Sequence, residues 1–395
     1  MYQDFEHYVP TKIFFGLDAE RRTAEAIRSF GGSLVLLLYG GGSAVRSGLL
    51  ARIQAVLAAA QLHCATLGGI VPNPRLGKVY EAIELGRREK VDFLLAVGGG
   101  SVIDTAKAAA YGLANDCDVW ELFTHRAQAN ACLPVGAVLT IAAAGSEMSN
   151  GCVITNEATG EKRSYDADLG RPKFAVLNPA LTLTLPAYQT ASGITDILMH
   201  TMERYFNQNE NMAVTDAISE ALMRTVMDNA RALMRDPQDL RARWEIMWAG
   251  SLSHNGLTGC GTGGGDWACH NMEHELGGMF DVAHGAGLAA IWGSWARYVH
   301  HAAPERFEKF AVNVLGVAPG TGREDTILRG IRAMEDFYRE LHMPTSLAEL
   351  GVVPSEEQIV RMAESCARAT GGKNGCIVPL TAQDMAAIYR MARGV

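Results

Sequence analysis

Two near-continuous apolar runs dominate the first half of the chain. They are Ser-Leu-Val-Leu-Leu-Leu-Tyr at 33–39 and Val-Asp-Phe-Leu-Leu-Ala-Val at 91–97. Runs without polar alternation are typical of strands buried on both faces, as in parallel sheets covered by helices. Each run passes straight into three glycines and a serine, Gly40-Gly41-Gly42-Ser43 and Gly98-Gly99-Gly100-Ser101, followed by helical periodicity at 46–60 and 102–114. Strand, glycine turn and helix together make a phosphate cradle. Glycine lets the backbone approach, and the first helical N–H groups face the anion with the helix dipole behind them. Neither copy fits the spacing of the dinucleotide fingerprint G-x-G-x-x-G. A tight turn without ligand is the plain alternative, but two copies in one α/β unit favour phosphate.

Further segments extend the pattern. Strands are expected at 11–15, 62–67, 134–140 and 173–177, helices at 18–30 and 75–89, and a hairpin at 151–166 turning at 157–160. Gly68-Gly69-Ile70-Val71-Pro72-Asn73-Pro74 reads as a rigid loop. Beyond Leu185-Pro186 helical periodicity takes over, with runs at 212–235, 241–255, 303–314, 324–341 and 380–393. The expectation is an α/β dinucleotide-binding domain over 1–185, with a parallel, Rossmann-like sheet, followed by an all-α metal-binding domain over 186–395.

The helical half carries the second constellation. Asp196 and His200 are four apart, as are His270 and His274, and His284 follows ten residues later. Residues four apart share one helix face. A carboxylate and three imidazoles suit zinc or ferrous iron. Taken singly, each pair reads as a surface contact or a polar helix face. Together they sit among glycines and apolar residues, where titratable groups need partners or a metal.

Other classes of function are excluded by composition. Net charge is −8 with no basic run, which argues against nucleic acid. No apolar stretch is long enough for a membrane span, and the N-terminus lacks the pattern of a secretory leader. The eight scattered cysteines, without Cys-x-x-Cys, read as reduced thiols in a cytoplasmic protein. In the first glycine turn no acid occurs from Gly40 to Gly48, whereas Ser43 and Arg46 do. An NAD site usually sets an acid against the ribose 2′-hydroxyl, so this turn favours the 2′-phosphate of NADP.

Several motifs together resemble the iron-containing (group III) alcohol dehydrogenases, most closely their NADP(H)-linked butanol dehydrogenase and aldehyde reductase branch. They are Val71-Pro-Asn-Pro74, Leu95 to Asp104, Ala144-Gly-Ser-Glu147, Thr159-Gly-Glu-Lys162, Asp196 to His200, Asp266-Trp-Ala268, and His270-x3-His274-x9-His284. The resemblance spans nearly the whole chain. It implies a dinucleotide-binding domain followed by a helical domain, and a homodimer. It implies Asp196, His200, His270 and His284 as ligands of Fe²⁺ or Zn²⁺, with His274 a non-ligand beside the nicotinamide. It implies Gly98, Gly99, Gly100 and Ser101 at the pyrophosphate with Asp104 nearby. Asn73, Thr140 and Lys162 match cofactor contacts, and Gly41, Gly42 and Ser43 match the NADP-binding turn. Departures are Val71, where the branch often has Glu, and Asn178, where it often has Asp.

The chemistry implied is hydride transfer between nicotinamide and an aldehyde or alcohol, with the metal as Lewis acid. Trp267, Met272, Met279 and Phe280 supply apolar bulk, which suits a small or medium aliphatic substrate. A cyclase of the dehydroquinate synthase type shares this architecture, but needs Lys and Arg near the metal; residues 250–295 contain neither. A non-catalytic metal- or nucleotide-binding protein is the remaining alternative.

Overall fold

In a computed structural model, residues 3–209 and 212–394 are described. The chain divides into two compact units, one of them Val9–Leu185. Its strands are β1 (Lys12–Phe15), β2 (Leu34–Gly40), β3 (His63–Ile70), β4 (Phe93–Gly98), β5 (Val135–Leu139), β6 (Gly151–Asn156), β7 (Glu161–Asp166) and β8 (Phe174–Leu177). Its helices are α1 (Thr23–Ser29), α2 (Ser43–Arg46), α3 (Leu49–Ala59), α4 (Leu76–Arg88), α5 (Gly100–Ala114) and α6 (Val119–Phe123). Six strands form one sheet in the order β1-β8-β5-β4-β2-β3, every pair parallel. Residues 35–38 of β2 and 93–97 of β4 are fully buried, as expected of strands covered on both faces. β6 and β7 form a separate antiparallel hairpin.

An aromatic cluster anchors one face. Phe174 of β8 stacks on Phe93 at 5.9 Å and meets Phe14 edge-on at 6.1 Å. Gly136 on β5 makes the room: a Cβ there would overlap the Phe174 ring.

The structure corrects several expected boundaries. The helix expected over 46–60 is broken, because Gly48 turns left-handed at φ 70° and separates α2 from α3. Residues 18–30 begin as a 3-10 turn before α1. β3 runs on through Gly68 and Gly69, where the sequence predicts a loop; a Cβ at Gly68 would strike the Tyr39 ring. Asn178 donates to Glu20 Oε2 at 2.9 Å and caps the next turn through Ala180 N–H at 3.1 Å. An aspartate there would set like charges together.

The second unit begins at Pro186 and includes the described residues up to Tyr8, which the sequence assigns to the α/β domain. It is helical: α7 (Ala187–Tyr205), α8 (Ala213–Arg235), α9 (Leu240–Ser253), α10 (Ala268–Phe280), α11 (His284–Val299), α12 (Pro304–Asn313), α13 (Arg323–Glu340), α14 (Glu356–Ala369) and α15 (Ala382–Ala392). α7 packs on α8 and α11, and α10 packs on α11 and α14. α14 is not among the helices expected from the sequence, although Ser355 and Gln358 form a full capping box at its start. No helix among the described residues is long and apolar enough to cross a membrane.

Phe174→Ala removes the ring shared by β8, β4 and β1. The expected cost to the α/β unit is about 3–5 kcal/mol, the usual range for a buried Phe. Urea unfolding followed by circular dichroism reads it; a loss under about 1 kcal/mol would show that the cluster does not hold the sheet.

Candidate metal centre and cofactor turns

Asp196 and His200 lie one turn apart on α7, His270 in the first turn of α10, and His284 at the start of α11. Asp196 Oδ1 stands 3.6 Å from His270 Nε2 and 3.7 Å from His284 Nε2. These three residues offer ligand atoms within 4.8 Å of one another. The side chains of Asp196 and His270 are nearly fully buried, and that of His284 is 26% exposed. Asp196 Oδ1 and His270 Nε2 are buried without a well-formed hydrogen bond, although His200 Nδ1 comes within 3.1 Å of the carboxylate oxygen. Unmatched polar atoms in an apolar interior are costly, and a carboxylate oxygen facing two imidazole nitrogens is a donor set for a divalent cation. The residues therefore fit the metal expected from the sequence.

The fourth expected ligand, His200, stands beside this cluster, its ring centre 4.5 Å from that of His270. Its Nδ1 is 2.9 Å from the Asp196 backbone oxygen. A carbonyl oxygen only accepts, so Nδ1 carries the proton and Nε2 the lone pair. His274, one turn along α10, stacks on His284 with ring centres 5.9 Å apart. A second grouping, Glu273, His274 and His284, also lies within 4.8 Å. The Asp196 grouping is the better cation site, because Glu273 Oε2 is already engaged by His284 Nδ1.

Charge is balanced locally. Burial would raise the Asp196 carboxyl, but the imidazoles of His200 and His284 beside it hold it well below the usual carboxylate range. Burial pushes His200 down to about 4, against the pull of Asp196. Burial would also push His270 down, but Asp196 and Glu203 outweigh it and lift the imidazole to about 9.

Several neighbours of the site are not evident from the sequence. Glu203 Oε1 accepts from His270 N–H at 3.0 Å and Nδ1 at 3.1 Å. Seven residues after Asp196, it shares the helix face of the ligands, and that spacing is the one signal the sequence offers. Arg204 donates to His200 O at 2.8 Å and Ser253 O at 3.1 Å, and its guanidinium lies 4.5 Å from the Trp267 ring centre. Trp267 adopts φ 62°, uncommon for a bulky residue, and packs on His270 at 5.2 Å. His254 meets the His200 ring edge-on at 4.0 Å, and nothing in its sequence context marks it.

In the α/β unit, Gly41, Gly42 and Ser43 follow β2, and Gly42 takes φ 122° with the Arg46 guanidinium folded close over it. Gly98 and Gly99 lead from β4 into the 15-residue α5, which begins with Gly100 and Ser101. A Cβ at Gly98 would strike Val102, and one at Gly99 would strike Ile141, so packing demands these glycines as well. Thr140 N–H donates to Gly98 O at 3.0 Å, which brings the end of β5 to this turn. Asn73 is buried with φ 51°, and Lys162 is buried on β7 opposite Thr155. Asp104 is engaged internally: Oδ1 accepts from Ser146 Oγ at 2.6 Å and Oδ2 from Val153 N–H at 3.0 Å. It ties the 146–153 segment to α5. Lys107, which no sequence motif singles out, does the same with its buried ammonium, donating to Ser149 O at 3.0 Å and Gly151 O at 2.7 Å.

Comparison with known proteins identifies the family. Residues 10–179 match the iron-containing alcohol dehydrogenase family, and residues 190–393 match the C-terminal domain of the Fe-containing alcohol dehydrogenase family. The chain belongs to the iron-containing alcohol dehydrogenase family, a group of oxidoreductases. Among its relatives is the NADH-dependent butanol dehydrogenase A of Clostridium acetobutylicum, 37% identical over 98% of each chain. The NADPH-dependent aldehyde reductase of Escherichia coli is 33% identical over 88% of this chain and 89% of its own. A crystal structure described as NADH-dependent butanol dehydrogenase A from Thermotoga maritima superposes with a TM-score of 0.95 at 36% identity, covering 100% of this chain and 99% of that one.

Two outcomes test the site. His270→Ala or His284→Ala should remove bound metal, whereas His274→Ala should keep it and lower turnover; elemental analysis showing full metal in the first two variants contradicts the ligand set. Metal binding should also release a proton. A ligand imidazole must be neutral, and His270 is protonated below about 9. Affinity should therefore fall about tenfold per pH unit below that value and level off above it. Calorimetry at pH 7.5 in buffers of different ionisation enthalpy reads the proton; none released contradicts the assignment.

Proposed function

We propose that the protein is a metal-dependent, NADP(H)-linked alcohol dehydrogenase that interconverts short- to medium-chain aldehydes and alcohols. The observation that carries this is the buried pair of unmatched atoms, Asp196 Oδ1 and His270 Nε2, facing His284 in a chain of this family. When bound, a divalent cation supplies Lewis acidity toward the carbonyl oxygen, and the nicotinamide supplies hydride.

The chain's own residues bind and orient. Asp196, His270 and His284 form the core of the metal set, and His200 completes it with its lone pair on Nε2. Three imidazoles and one carboxylate accept Fe²⁺ or Zn²⁺. Gly98 to Ser101 cradle the pyrophosphate at the start of α5. Thr140 and Lys162 hold the ribose and nicotinamide side, and Asn73 is a further cofactor contact. Asp104, on this reading, acts by fixing the segment after β5. His274 is the proton carrier, since an imidazole can both accept and donate a proton and this one stacks on a ligand. Trp267, Met279 and Phe280 give the surroundings an apolar character. The absence of Lys and Arg from 250–295 disfavours a phosphorylated acid substrate, and with it the cyclase reading.

Relatives divide between the two cofactors: the Clostridium enzyme is named for NADH and the Escherichia enzyme for NADPH. The turn itself supports NADP. Ser43 offers a hydroxyl, Arg46 folds over Gly42, and no carboxylate lies between Gly40 and Gly48. Gly41 has open space where a Cβ would stand, so a side chain fits there. Gly41→Asp should cost NADPH roughly 2–4 kcal/mol, because a charge-assisted hydrogen bond to the 2′-phosphate is broken and a like-charge repulsion is added. That is about 30- to 1,000-fold in kcat/KM. The check is kcat/KM for both cofactors with butanal, in the parent and the variant. A parent that prefers NADH, or an unchanged ratio in Gly41→Asp, contradicts the NADP reading; no turnover of any aldehyde or alcohol contradicts the activity.

A further inference from the structure

Three helices converge on the metal cluster, and two of them send a buried acid to the histidine of the next. Glu203, on α7, accepts from Nδ1 of His270 on α10 at 3.1 Å. Glu273, on α10, accepts from Nδ1 of His284 on α11. A carboxylate accepts and does not donate, so each imidazole, once neutral, keeps its proton on Nδ1 and its lone pair on Nε2. Those are the atoms that face Asp196 Oδ1 at 3.6 and 3.7 Å.

The packing is shaped around these two acids. Glu203 is 2% exposed and Glu273 is fully buried. A Cβ at Gly287 would stand 2.9 Å from Glu273 Cγ, so only glycine leaves that side chain its place. A Cβ at Gly265 would stand 2.7 Å from the Glu203 backbone oxygen, the atom that accepts from Asp266 N–H at 2.8 Å. α10 has no side-chain cap from its own N-cap, Trp267. Glu203 supplies one from α7 by accepting the N–H of His270, the third residue of the helix. One carboxylate oxygen thus fixes both the backbone and the ring of a ligand.

We infer that Glu203 and Glu273 are positioning residues of the metal centre, which hold His270 and His284 as Nε2 ligands and set how tightly a divalent cation is retained. This rests on the metal-centre reading above. Two carboxylates behind the imidazoles also add negative charge to that of Asp196, so the protein surrounds the cation with three buried acids. Partners of this kind, behind metal-bound histidines, raise ligand basicity and fix ring orientation.

The test uses the full chain and measures the dissociation constant for Zn²⁺ by competition with a chromogenic chelator. Glu203→Gln and Glu273→Gln keep an amide oxygen for the ring, and at 203 for the helix N–H, while losing the charge and the fixed proton. Each should weaken Zn²⁺ binding about 10- to 100-fold, the usual range for such partners. In the metal-free protein at pH 10, where the imidazoles are neutral, ¹⁵N spectra should show the paired histidine shifting from one tautomer to a mixture. Glu335→Gln is the control: it removes an acid paired with Arg297 on α11, away from the cluster, and should leave the constant within about twofold. Should a Gln variant fail to fold, Gly287→Ala keeps every ligand, displaces Glu273, and should still weaken binding. Unchanged Zn²⁺ affinity in the folded variants, with tight binding by the parent, overturns the inference. A parent that binds no Zn²⁺ overturns the metal-centre reading instead.

Discussion

The helical unit is organised by unsatisfied polarity. A carboxylate oxygen of Asp196 and an imidazole nitrogen of His270 are buried without a well-formed hydrogen bond, in the company of His284 and His200. Leaving such atoms unmatched costs about 1–3 kcal/mol each, and more when one is charged. A fold carries that cost where function requires it, and a divalent cation would offset it by bonding to both atoms at once. The local details follow from this need. α7 presents Asp196, His200 and Glu203 on one face, α10 begins where Glu203 caps it, and α11 begins at His284 itself.

Glycine makes the convergence possible. At Gly285 a Cβ would run into the backbone oxygen of Ser192 on α7, and at Gly287 it would crowd Glu273. Gly265 takes φ 92° and passes close to Glu203, turning the chain into α10 through the strained Trp267. In the α/β unit, glycines at 98 and 99 serve close packing at the end of β4 as well as the approach of a phosphate. One residue type therefore supplies both the sterics of assembly and the openness of the ligand turns.

Much of this is legible in the sequence, for identifiable reasons. Strands such as 34–40 and 93–98 announce themselves because burial on both faces removes polar residues from them. Asp196 with His200, and His270 with His274, are visible because helical spacing puts each pair on one face. Glu203 and Glu273 are not legible in this way, since their meaning lies in which helix packs beside them. The break at Gly48 and the continuation of β3 through Gly68 have opposite outcomes from the same residue type. One glycine turns left-handed, and the other yields space to Tyr39. Single residues decide such boundaries, and periodicity does not see them. Asp104 sits inside a motif of the cofactor turn, yet its oxygens bind Ser146 and Val153, a tertiary arrangement that a linear motif does not encode.

On this reading a divalent cation sits among Asp196, His200, His270 and His284. X-ray absorption at the metal edge of the loaded protein tests it most directly. The expected spectrum shows a first shell of nitrogen and oxygen alone at about 2.0–2.2 Å, with the outer-shell scattering of about three imidazoles and no sulfur. A sulfur scatterer at about 2.3 Å, or a shell without imidazole scattering, would contradict it.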